Sequence, residues 1–283
     1  MNPAHPPMTA VRDVVARALA EDLEPLGDVT AALLPPDLEG RGAVVPRSAG
    51  VLAGRPAADE AFRQVDPAIT VTWHADDGHA LTAGQPVADL NGPLASILTA
   101  ERTALNLLCH LSGIATATRR WVDACAGSLT VWDTRKTTPG LRALEKAAVR
   151  AGGGANHRGN LSEWVLLKDN HLAALGITEA VRRARARWPG RTVQVEADRL
   201  EQLVEAIEAD ADIVLLDNMS PDEVRACVAA RGDARRPLLE ISGRVTFESL
   251  PAYVDTGADL VSASALTASS PALDLGLDVE TQA

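Results

Sequence analysis

Charged and small polar residues end six short apolar segments in the second half of the chain. The segments read LTVWD, WVLLK, TVQVE, DIVLLD, PLLEIS and ADLVSAS. The residues at these ends are Asp133 with Arg135 and Lys136, then Lys168, Glu196, Asp217, Ser242 with Gly243, and Ser262 to Ser264. Each residue alone is more typical of a solvated strand end or a helix cap. Six such ends in succession favour one shared site for an ionic ligand.

Basic residues are concentrated between Asp133 and Lys168. This stretch holds seven basic residues against three acidic ones, in a chain whose net charge is -11. Arg binds carboxylates and phosphates with two parallel hydrogen bonds, and Lys offers phosphate a compact charge, so the stretch favours a small anionic ligand. Arg142, Lys146 and Arg150 recur every four residues, which predicts the outer face of a helix and not a ligand site.

The remaining basic candidates lie in two segments that contain glycine. Arg135 and Lys136 belong to TRKTTPG, and His157 and Arg158 belong to AGGGANHRGN. Glycine lets the backbone approach a ligand closely. The glycine run at 152–154 is equally compatible with a flexible connector or a helix C-cap.

Glu196 and Asp217 end two successive apolar segments and are candidates for a shared Mg²⁺. Mg²⁺ usually takes one or two protein carboxylates, keeps several waters and bridges to substrate phosphates. Acidic segment ends that face basic ones therefore fit a ligand made of a metal and pyrophosphate.

The elements that must position these residues form two regions. From about residue 129, the apolar segments alternate with helical stretches such as ITEAVRRARARW, LEQLVEAIEA and PDEVRACVAA. This alternation is typical of a parallel sheet with right-handed crossovers. Because no G-x-G-x-x-G follows the first segment, we expect an incomplete, open α/β barrel with its site at the carboxyl ends of the strands.

The first part of the chain predicts a small α+β domain. We expect a helix over residues 9–22 and strands within GAVVPRSAGVLAG and ITVTWHA. Residues 94–126 have a long helical pattern, which we expect to break at Ser112-Gly113.

Composition argues against several classes of protein. The negative charge disfavours nucleic-acid binding through phosphate neutralisation. The start MNPAHPPMTAVRDVV lacks the features of a secretory signal, and no apolar run of about 18 residues could span a bilayer, so we expect a cytoplasmic protein that does not contact membranes.

Cysteine, histidine and lysine add smaller expectations. Without a C-x-x-C spacing, we expect buried, apolar roles for Cys109, Cys125 and Cys227. We expect surface positions for His5, His74 and His79, and structural roles for His110 and His171. Lysine accounts for only three of the 27 basic residues, Lys136, Lys146 and Lys168. This scarcity suggests that a compact ammonium group is needed where lysine is kept.

Six stretches of the chain closely resemble the quinolinate phosphoribosyltransferase family, also called nicotinate-nucleotide pyrophosphorylase (carboxylating). They are ERTALNLLCHLSGIATAT, DTRKTTPGLRALEKAAVRAGGGANHR, VLLKDNH, VEADRLEQL, IVLLDNMSP and LEISG. The resemblance runs from EDLEPLGDVT to ALDLGLDV, almost the whole chain. It implies an N-terminal α/β sandwich domain over residues 1–112, with the tail 270–283 packed back on it, and an α/β barrel over residues 113–269.

The resemblance also implies a reaction and its site. In this family the phosphoribosyl group of phosphoribosyl pyrophosphate moves to the ring nitrogen of quinolinate, which gives nicotinate mononucleotide, pyrophosphate and CO₂ for NAD synthesis. By matching position, the implied quinolinate-binding residues are Arg102, Thr134, Arg135, His157, Arg158 and Lys168. The implied catalytic residues are Lys136, Lys168, Glu196 and Asp217, with Glu196 and Asp217 holding Mg²⁺. The resemblance further implies homodimers or assemblies of dimers, in which Arg102 reaches the neighbour's site.

Two loops depart from the family pattern. The family's S-G-G stands here as Ser242-Gly243-Arg244, and its S-x-G-A-L-T-H-S stands as SASALTAS from Ser262. In the family these loops bind the 5′-phosphate with backbone N–H groups, which makes Ser242, Gly243, Arg244, Ser264 and Ala265 the implied phosphate-binding residues. Arg244 either adds a phosphate contact or fills the site.

Three other functions stay open at this point. One is a related phosphoribosyltransferase that uses another aromatic acid. Another is a ligand-binding barrel without catalysis, since the phosphate loops are altered. The third is an aldolase that forms a Schiff base at Lys168, which would explain a lysine at a strand end but leaves the arginines without a role.

Overall fold

A computed structural model describes residues 5–281. Residues 1–4 and 282–283, which the predicted ranges 1–112 and 270–283 include, lie outside the described residues. The chain divides into two compact units. The N-terminal unit comprises the described residues up to Arg119, Thr137–Gly153, and the described residues from Leu266 onward. The barrel unit comprises Arg120–Lys136 and Gly154–Ala265. The domain ranges given above stay predictions.

Helices and strands alternate along most of the described chain. The helices are α1 Met8–Leu23, α2 Arg55–Val65, α3 Leu94–Cys125, α4 Arg142–Ala151, α5 Asp169–Leu175, α6 Ile177–Arg187, α7 Leu200–Glu208, α8 Pro221–Arg231, α9 Pro251–Val254 and α10 Ala265–Ala268, with a 3₁₀ turn at Ala31–Leu33. The strands are β1 Glu39–Pro46, β2 Gly50–Val51, β3 Thr70–Trp73, β4 Ala80–Leu81, β5 Ala88–Pro93, β6 Thr130–Trp132, β7 Val165–Leu167, β8 Val193–Ala197, β9 Ile213–Asp217, β10 Leu238–Ser242, β11 Leu260–Ser262 and β12 Leu275–Thr281.

The N-terminal unit is built on a four-stranded antiparallel sheet. Its strand order is β12-β1-β5-β3, so the last strand of the chain pairs with the first. Helices α1 and α2 share the core of this unit, since Val11 and Val15 of α1 and Ala58 and Phe62 of α2 belong to one buried cluster. The spacing of four residues places these apolar side chains on one face of each helix.

Helix α3 is continuous from Leu94 to Cys125, so the predicted break at Ser112-Gly113 is wrong. Gly113 is needed for a close approach: a Cβ there would lie 2.1 Å from the carbonyl oxygen of Pro271. The hydroxyl of Ser112 lies 3.1 Å from both the backbone nitrogen and the carbonyl oxygen of Ala53. Glycine in a helix costs only about 1 kcal/mol, which the packing of this unit outweighs.

Helix α4 does not present its basic residues as an outer face, which corrects the prediction for Arg142, Lys146 and Arg150. Lys146 is only 6% exposed, and the neighbouring Glu145 is fully buried. The Nε2 atom of His110 lies 2.9 Å from a carboxylate oxygen of Glu145, in agreement with a structural role for this histidine. Spacing by four residues places side chains on one helix face, but it does not say whether that face points outward.

The barrel unit holds a six-stranded parallel sheet. Its strand order is β6-β11-β10-β9-β8-β7, and β6 and β7 at the two ends do not pair with each other. The six predicted strands and the helices between them are confirmed, as is the incomplete barrel. Strand β9 shows why the segments read as apolar, since Ile213 to Leu216 are all buried. Ser220 caps α8 by accepting a hydrogen bond from the Glu223 backbone, which separates strand from helix.

The burial of the cysteines and histidines agrees in part with the predictions. Cys125 and Cys227 are buried as predicted, and burial raises the pKa of the Cys227 thiol to about 11. Cys109 is only partly buried. His74 and His79 are exposed. Among residues 5–281, no helix is both long and apolar enough to cross a membrane.

Candidate active site

A cavity of about 260 Å³ opens at the carboxyl ends of the six parallel strands. Residues two apart on one strand face it, such as Glu240 and Ser242 of β10, because side chains alternate across a sheet. The cavity brings together most of the predicted site residues, namely Thr134, Arg135, Lys136, His157, Arg158, Lys168, Glu196, Asp217, Ser242, Gly243 and Ser264.

The cationic side of the cavity is formed by the segments that follow β6. Arg158 is 7% exposed, and its Nη1 donates a hydrogen bond to the carbonyl oxygen of Trp164 (3.1 Å). Its Nε is buried and makes no hydrogen bond within the described part of the chain. Burial, and after it the like charge of Arg135, lowers the pKa of Arg158. Two neighbouring guanidinium groups, one of them buried, are stabilised when an anion binds between them.

The fully buried carboxylate of Asp133 holds the segment that carries His157 and Arg158. Oδ1 accepts a hydrogen bond from the backbone nitrogen of His157 (2.9 Å), and Oδ2 accepts one from Nδ2 of Asn156 (2.6 Å). The backbone of Ala155 extends the sheet next to β6. Asp133 therefore positions the cationic residues from within, instead of facing the cavity at a strand end as the sequence suggested.

Lys168, Glu196 and Asp217 stand at the ends of β7, β8 and β9. Nζ of Lys168 forms an ion pair with the carboxylate of Glu196, whose side chain is 11% exposed. Asp217 accepts a hydrogen bond from Nδ2 of Asn218 (2.8 Å). Lys168 is also the residue that precedes α5, and its backbone nitrogen donates a hydrogen bond to Nδ1 of His171 (3.1 Å). This contact gives His171 a structural role.

Glu196 and Asp217 are the residues that could hold Mg²⁺. Both line this cavity and also a second one beside it, so both residues adjoin space that a ligand could occupy. No group of three or more His, Cys, Asp or Glu side chains within residues 5–281 is arranged to hold a metal ion. The donor set therefore fits a Mg²⁺ that takes its other ligands from water and from a bound phosphate.

The predicted phosphate-binding residues are only partly brought together. Ser242, Gly243 and Ser264 line the cavity, whereas Arg244 lines a neighbouring shallow cavity that shares Ser242, and Ala265 begins α10 without lining either. Gly243 has φ +111°, and a Cβ there would lie 2.5 Å from Oδ1 of Asn218. The same Asn218 oxygen accepts a hydrogen bond from the backbone nitrogen of Arg244 (3.2 Å). The chain thus needs glycine at 243 but tolerates the departure at 244.

Two further predicted residues have different surroundings. Thr134 accepts a hydrogen bond from the backbone nitrogen of Lys136 (3.0 Å), which shapes the turn after β6. Arg102 belongs to the N-terminal unit, on α3, where its side chain is 65% exposed and lies 3.9 Å from Glu101. The lining of the cavity comes from the barrel unit, so the structure does not bring Arg102 to it.

Sequence reasoning missed polar residues that lie inside the strands. Glu240 faces the cavity and is fully buried, and Gln194 of β8, also fully buried, donates to it (2.6 Å). The signal was present in LEIS and VQVE, where a polar residue interrupts an apolar strand two positions before the residue at its end. Counting back by two from Ser242 and Glu196 would have found both.

Fold and cavity together define a parallel α/β barrel enzyme with an anion-binding site at the carboxyl ends of its strands. Comparison with known families makes the assignment specific. The family described as the N-terminal domain of quinolinate phosphoribosyl transferase matches residues 28–112, and its C-terminal domain matches residues 114–278. The chain belongs to the quinolinate phosphoribosyl transferase family.

Individual relatives agree along nearly the whole chain. Nicotinate-nucleotide pyrophosphorylase (carboxylating) of Mycobacterium leprae is 45% identical over 279 residues, which cover 95% of this chain and 97% of the relative. The human enzyme of the same name is 39% identical over 278 residues, covering 96% and 92%. The solved structure of the Francisella tularensis nicotinate-nucleotide pyrophosphorylase superposes with a TM-score of 0.93 at 39% identity and covers 97% of both chains.

Proposed function

We infer that the chain transfers the phosphoribosyl group of phosphoribosyl pyrophosphate to quinolinate with decarboxylation, as a step of de novo NAD biosynthesis. Membership of the family supports this reaction. The single structural observation that carries it is a division of charge within one cavity. Guanidinium groups line it after β6, and carboxylates line it at the ends of β8 and β9. A dicarboxylate and a metal-bound pyrophosphate together need that division.

Quinolinate binds on the cationic side in this proposal. Arg135 and Arg158 pair with its carboxylates, and the buried Nε of Arg158 gains a hydrogen-bond partner. His157, Thr134 and Lys168 complete the pocket, with Lys168 shared between the two substrates. We further propose that Arg102 enters the cavity of a second copy of the chain, in a homodimer or an assembly of dimers. Arg102 belongs to the N-terminal unit, whereas the cavity of the same chain is lined by residues of the barrel unit.

Phosphoribosyl pyrophosphate occupies the opposite side. Lys136 and Lys168 face the pyrophosphate, while Glu196 and Asp217 face the ribose hydroxyls and would hold Mg²⁺. When bound, Mg²⁺ supplies positive charge to the leaving pyrophosphate. Ser242, Gly243 and Ser264 hold the 5′-phosphate, and Arg244 contributes from the neighbouring cavity that shares Ser242. Ala265, which follows Ser264 at the start of α10, completes this set in the proposal.

The chemistry needs positioning and charge, not a nucleophilic side chain. The lone pair of the pyridine nitrogen forms the bond to C1′ of the ribose as the bond from C1′ to pyrophosphate breaks, and the carboxylates stabilise the positive charge that develops on the sugar. The bond from C2 to its carboxyl carbon then breaks and releases CO₂. The electron pair stays on C2, beside the now cationic nitrogen, until a proton adds there.

The alternatives are weaker on specific grounds. Lys168 forms an ion pair with Glu196, an arrangement for an ammonium ion and not for the free amine that begins a Schiff base. No feature of the cavity favours another aromatic acid or a role without catalysis. The predicted cytoplasmic location stays a prediction.

A direct assay tests the proposal. Purified protein with quinolinate, phosphoribosyl pyrophosphate and Mg²⁺ should release nicotinate mononucleotide and CO₂ in equal amounts, at about 0.1 to 10 turnovers per second. Nicotinate in place of quinolinate is the substrate control, since it lacks the 2-carboxylate. Absence of product would refute the reaction, and quinolinate binding without product would point to a role without catalysis or to another phosphoribosyl donor.

A further inference from the structure

Glu240 lies under the cavity and belongs to no role assigned so far. It stands in the middle of β10, is fully buried and faces the cavity. One of its oxygens, Oε2, accepts a hydrogen bond from Nε2 of Gln194 (2.6 Å). A buried carboxylate at the base of a binding cavity is costly unless its contacts serve other groups.

The contacts of Gln194 fix the orientation of its amide. Oε1 lies 3.1 Å from Nε1 of Trp164, and an indole nitrogen can only donate a hydrogen bond. The oxygen of the amide must therefore face Trp164, and the nitrogen must face Glu240. Glu240 and Trp164 together exclude the flipped amide.

The fixed amide determines how His157 is held. Nε2 of His157 lies 3.1 Å from the same Oε1, and an amide oxygen only accepts, so His157 must donate from Nε2. The imidazole ring also packs against Trp132, at a centroid distance of 5.5 Å, and against Trp164, at 4.9 Å. Oε2 of Glu240 lies 3.6 Å from Nε2 of His157, so the carboxyl group of Glu240 also lies beside the ring.

We propose that Glu240 is a positioning residue for substrate binding, which acts through the amide of Gln194 to fix the ring orientation and the Nε2 proton of His157. The inference rests on the proposed function, in which His157 contacts the dicarboxylate. Glu240 can fill this role in either protonation state, because a carboxylic acid keeps a carbonyl oxygen that accepts the Gln194 N–H.

A purely structural role makes a different prediction. If Glu240 only filled space, a side chain of similar volume without an acceptor would serve, and any damage would affect both substrates. If Glu240 positions His157, the damage is confined to the dicarboxylate side, and a side chain that keeps an acceptor restores it. Glu240→Leu and Glu240→Gln separate these cases, since both lose the charge and only Gln keeps the acceptor.

Steady-state kinetics provide the first test. Glu240→Leu should raise KM for quinolinate about tenfold, while KM for phosphoribosyl pyrophosphate changes by less than about threefold. Glu240→Gln should stay within about threefold of wild type for both substrates. Glu60→Gln, which alters a buried carboxylate of the N-terminal unit, is the matched control and should leave both constants unchanged. Equal effects of Leu and Gln at 240, or equal effects on both substrates, would overturn the proposal.

A second measurement does not depend on turnover. Long-range ¹H–¹⁵N spectra of histidine-labelled protein, with His157→Asn for assignment, should show the His157 proton on Nε2 in wild type and in Glu240→Gln. Glu240→Leu should instead show a mixture of the Nδ1-protonated and Nε2-protonated tautomers of His157. If Glu240→Leu fails to fold, Glu240→Met, which also lacks a strong hydrogen-bond acceptor, should show the same mixture. An unchanged tautomer in the folded variant would overturn the inference, whereas failure of wild type to turn over, with this pattern intact, would overturn only the proposed function.

Discussion

Replacing Glu240 by Gln should change how the stability of the protein depends on pH. Burial, which outweighs the hydrogen bonds from Ser262 and Gln194, raises the pKa of Glu240 from its ordinary 4.5 to about 7. The unfolded chain therefore loses this proton at a lower pH than the folded chain does. As pH rises from about 4.5 to about 7, the folded state holds the extra proton, and ionising Glu240 inside the fold opposes folding. Wild type should lose stability over this range.

The magnitude follows from the size of the shift. Each pKa unit corresponds to about 1.4 kcal/mol, so between pH 5 and pH 8 the ionisation of Glu240 removes about 2 to 3 kcal/mol from the free energy of unfolding. Glu240→Gln cannot ionise and escapes this loss. The other charged groups that face Glu240, namely His157, Lys168 and Glu196, are present in both proteins. Their contributions are therefore nearly the same in both proteins and largely cancel in the comparison.

Urea unfolding followed by tryptophan fluorescence measures the difference. The free energy of unfolding of Glu240→Gln, measured relative to that of wild type, should increase by about 2 to 3 kcal/mol between pH 5 and pH 8. Glu60→Gln serves as control, because hydrogen bonding to Arg63 lowers the pKa of Glu60 and its ionised form is the favoured one. If the free energies of unfolding of Glu240→Gln and wild type change in parallel with pH, Glu240 does not have a raised pKa and the reasoning from burial fails.

Four further outcomes are expected. Arg158→Ala should weaken quinolinate binding by about 2 to 4 kcal/mol in calorimetry, while Arg182→Ala, an exposed arginine on α6, should not. Gly243→Ala should raise KM for phosphoribosyl pyrophosphate and cost about 1 to 3 kcal/mol of stability, since it forces a side chain into a left-handed conformation against Asn218. Arg244→Gly should raise that KM by about threefold, the effect of one exposed charge, and a lower KM would mean that Arg244 obstructs the site. EDTA should abolish product formation and added Mg²⁺ should restore it, with quinolinate binding unaffected.

The barrel was predictable from the sequence because parallel strands buried on both faces are continuous apolar runs. All six runs form the sheet, and the rule that barrel sites lie at the carboxyl ends placed Lys168, Glu196 and Asp217 around one cavity. The rule predicts the residues at the strand ends, but it does not predict the residues inside the strands that form the base of the site. Gln194 and Glu240 look like irregularities in core strands until the partner of each is known, and those partners lie on other strands or loops.

The errors arose where local pattern and tertiary contact disagree. Gly113 has the low helix propensity that suggested a break, but the approach of Pro271 decides the position. The four-residue spacing of Arg142, Lys146 and Arg150 correctly describes one helix face, but the sequence does not show that Lys146 on this face is buried. Both cases depend on contacts between residues far apart in the chain, which local propensity does not contain.

The scarcity of lysine can be explained by what the two cationic groups do in the proposed site. Arg158 and Arg135 are planar, so they suit carboxylates that must be held in one orientation. Lys136 and Lys168 are compact point charges, which suit a pyrophosphate whose position changes as its bond to the sugar breaks. The third lysine, Lys146, belongs to α4 of the N-terminal unit, is only 6% exposed and does not line the cavity. In the proposed site, each kind of cation therefore matches the geometry of one ligand, and Lys168 is shared between the two.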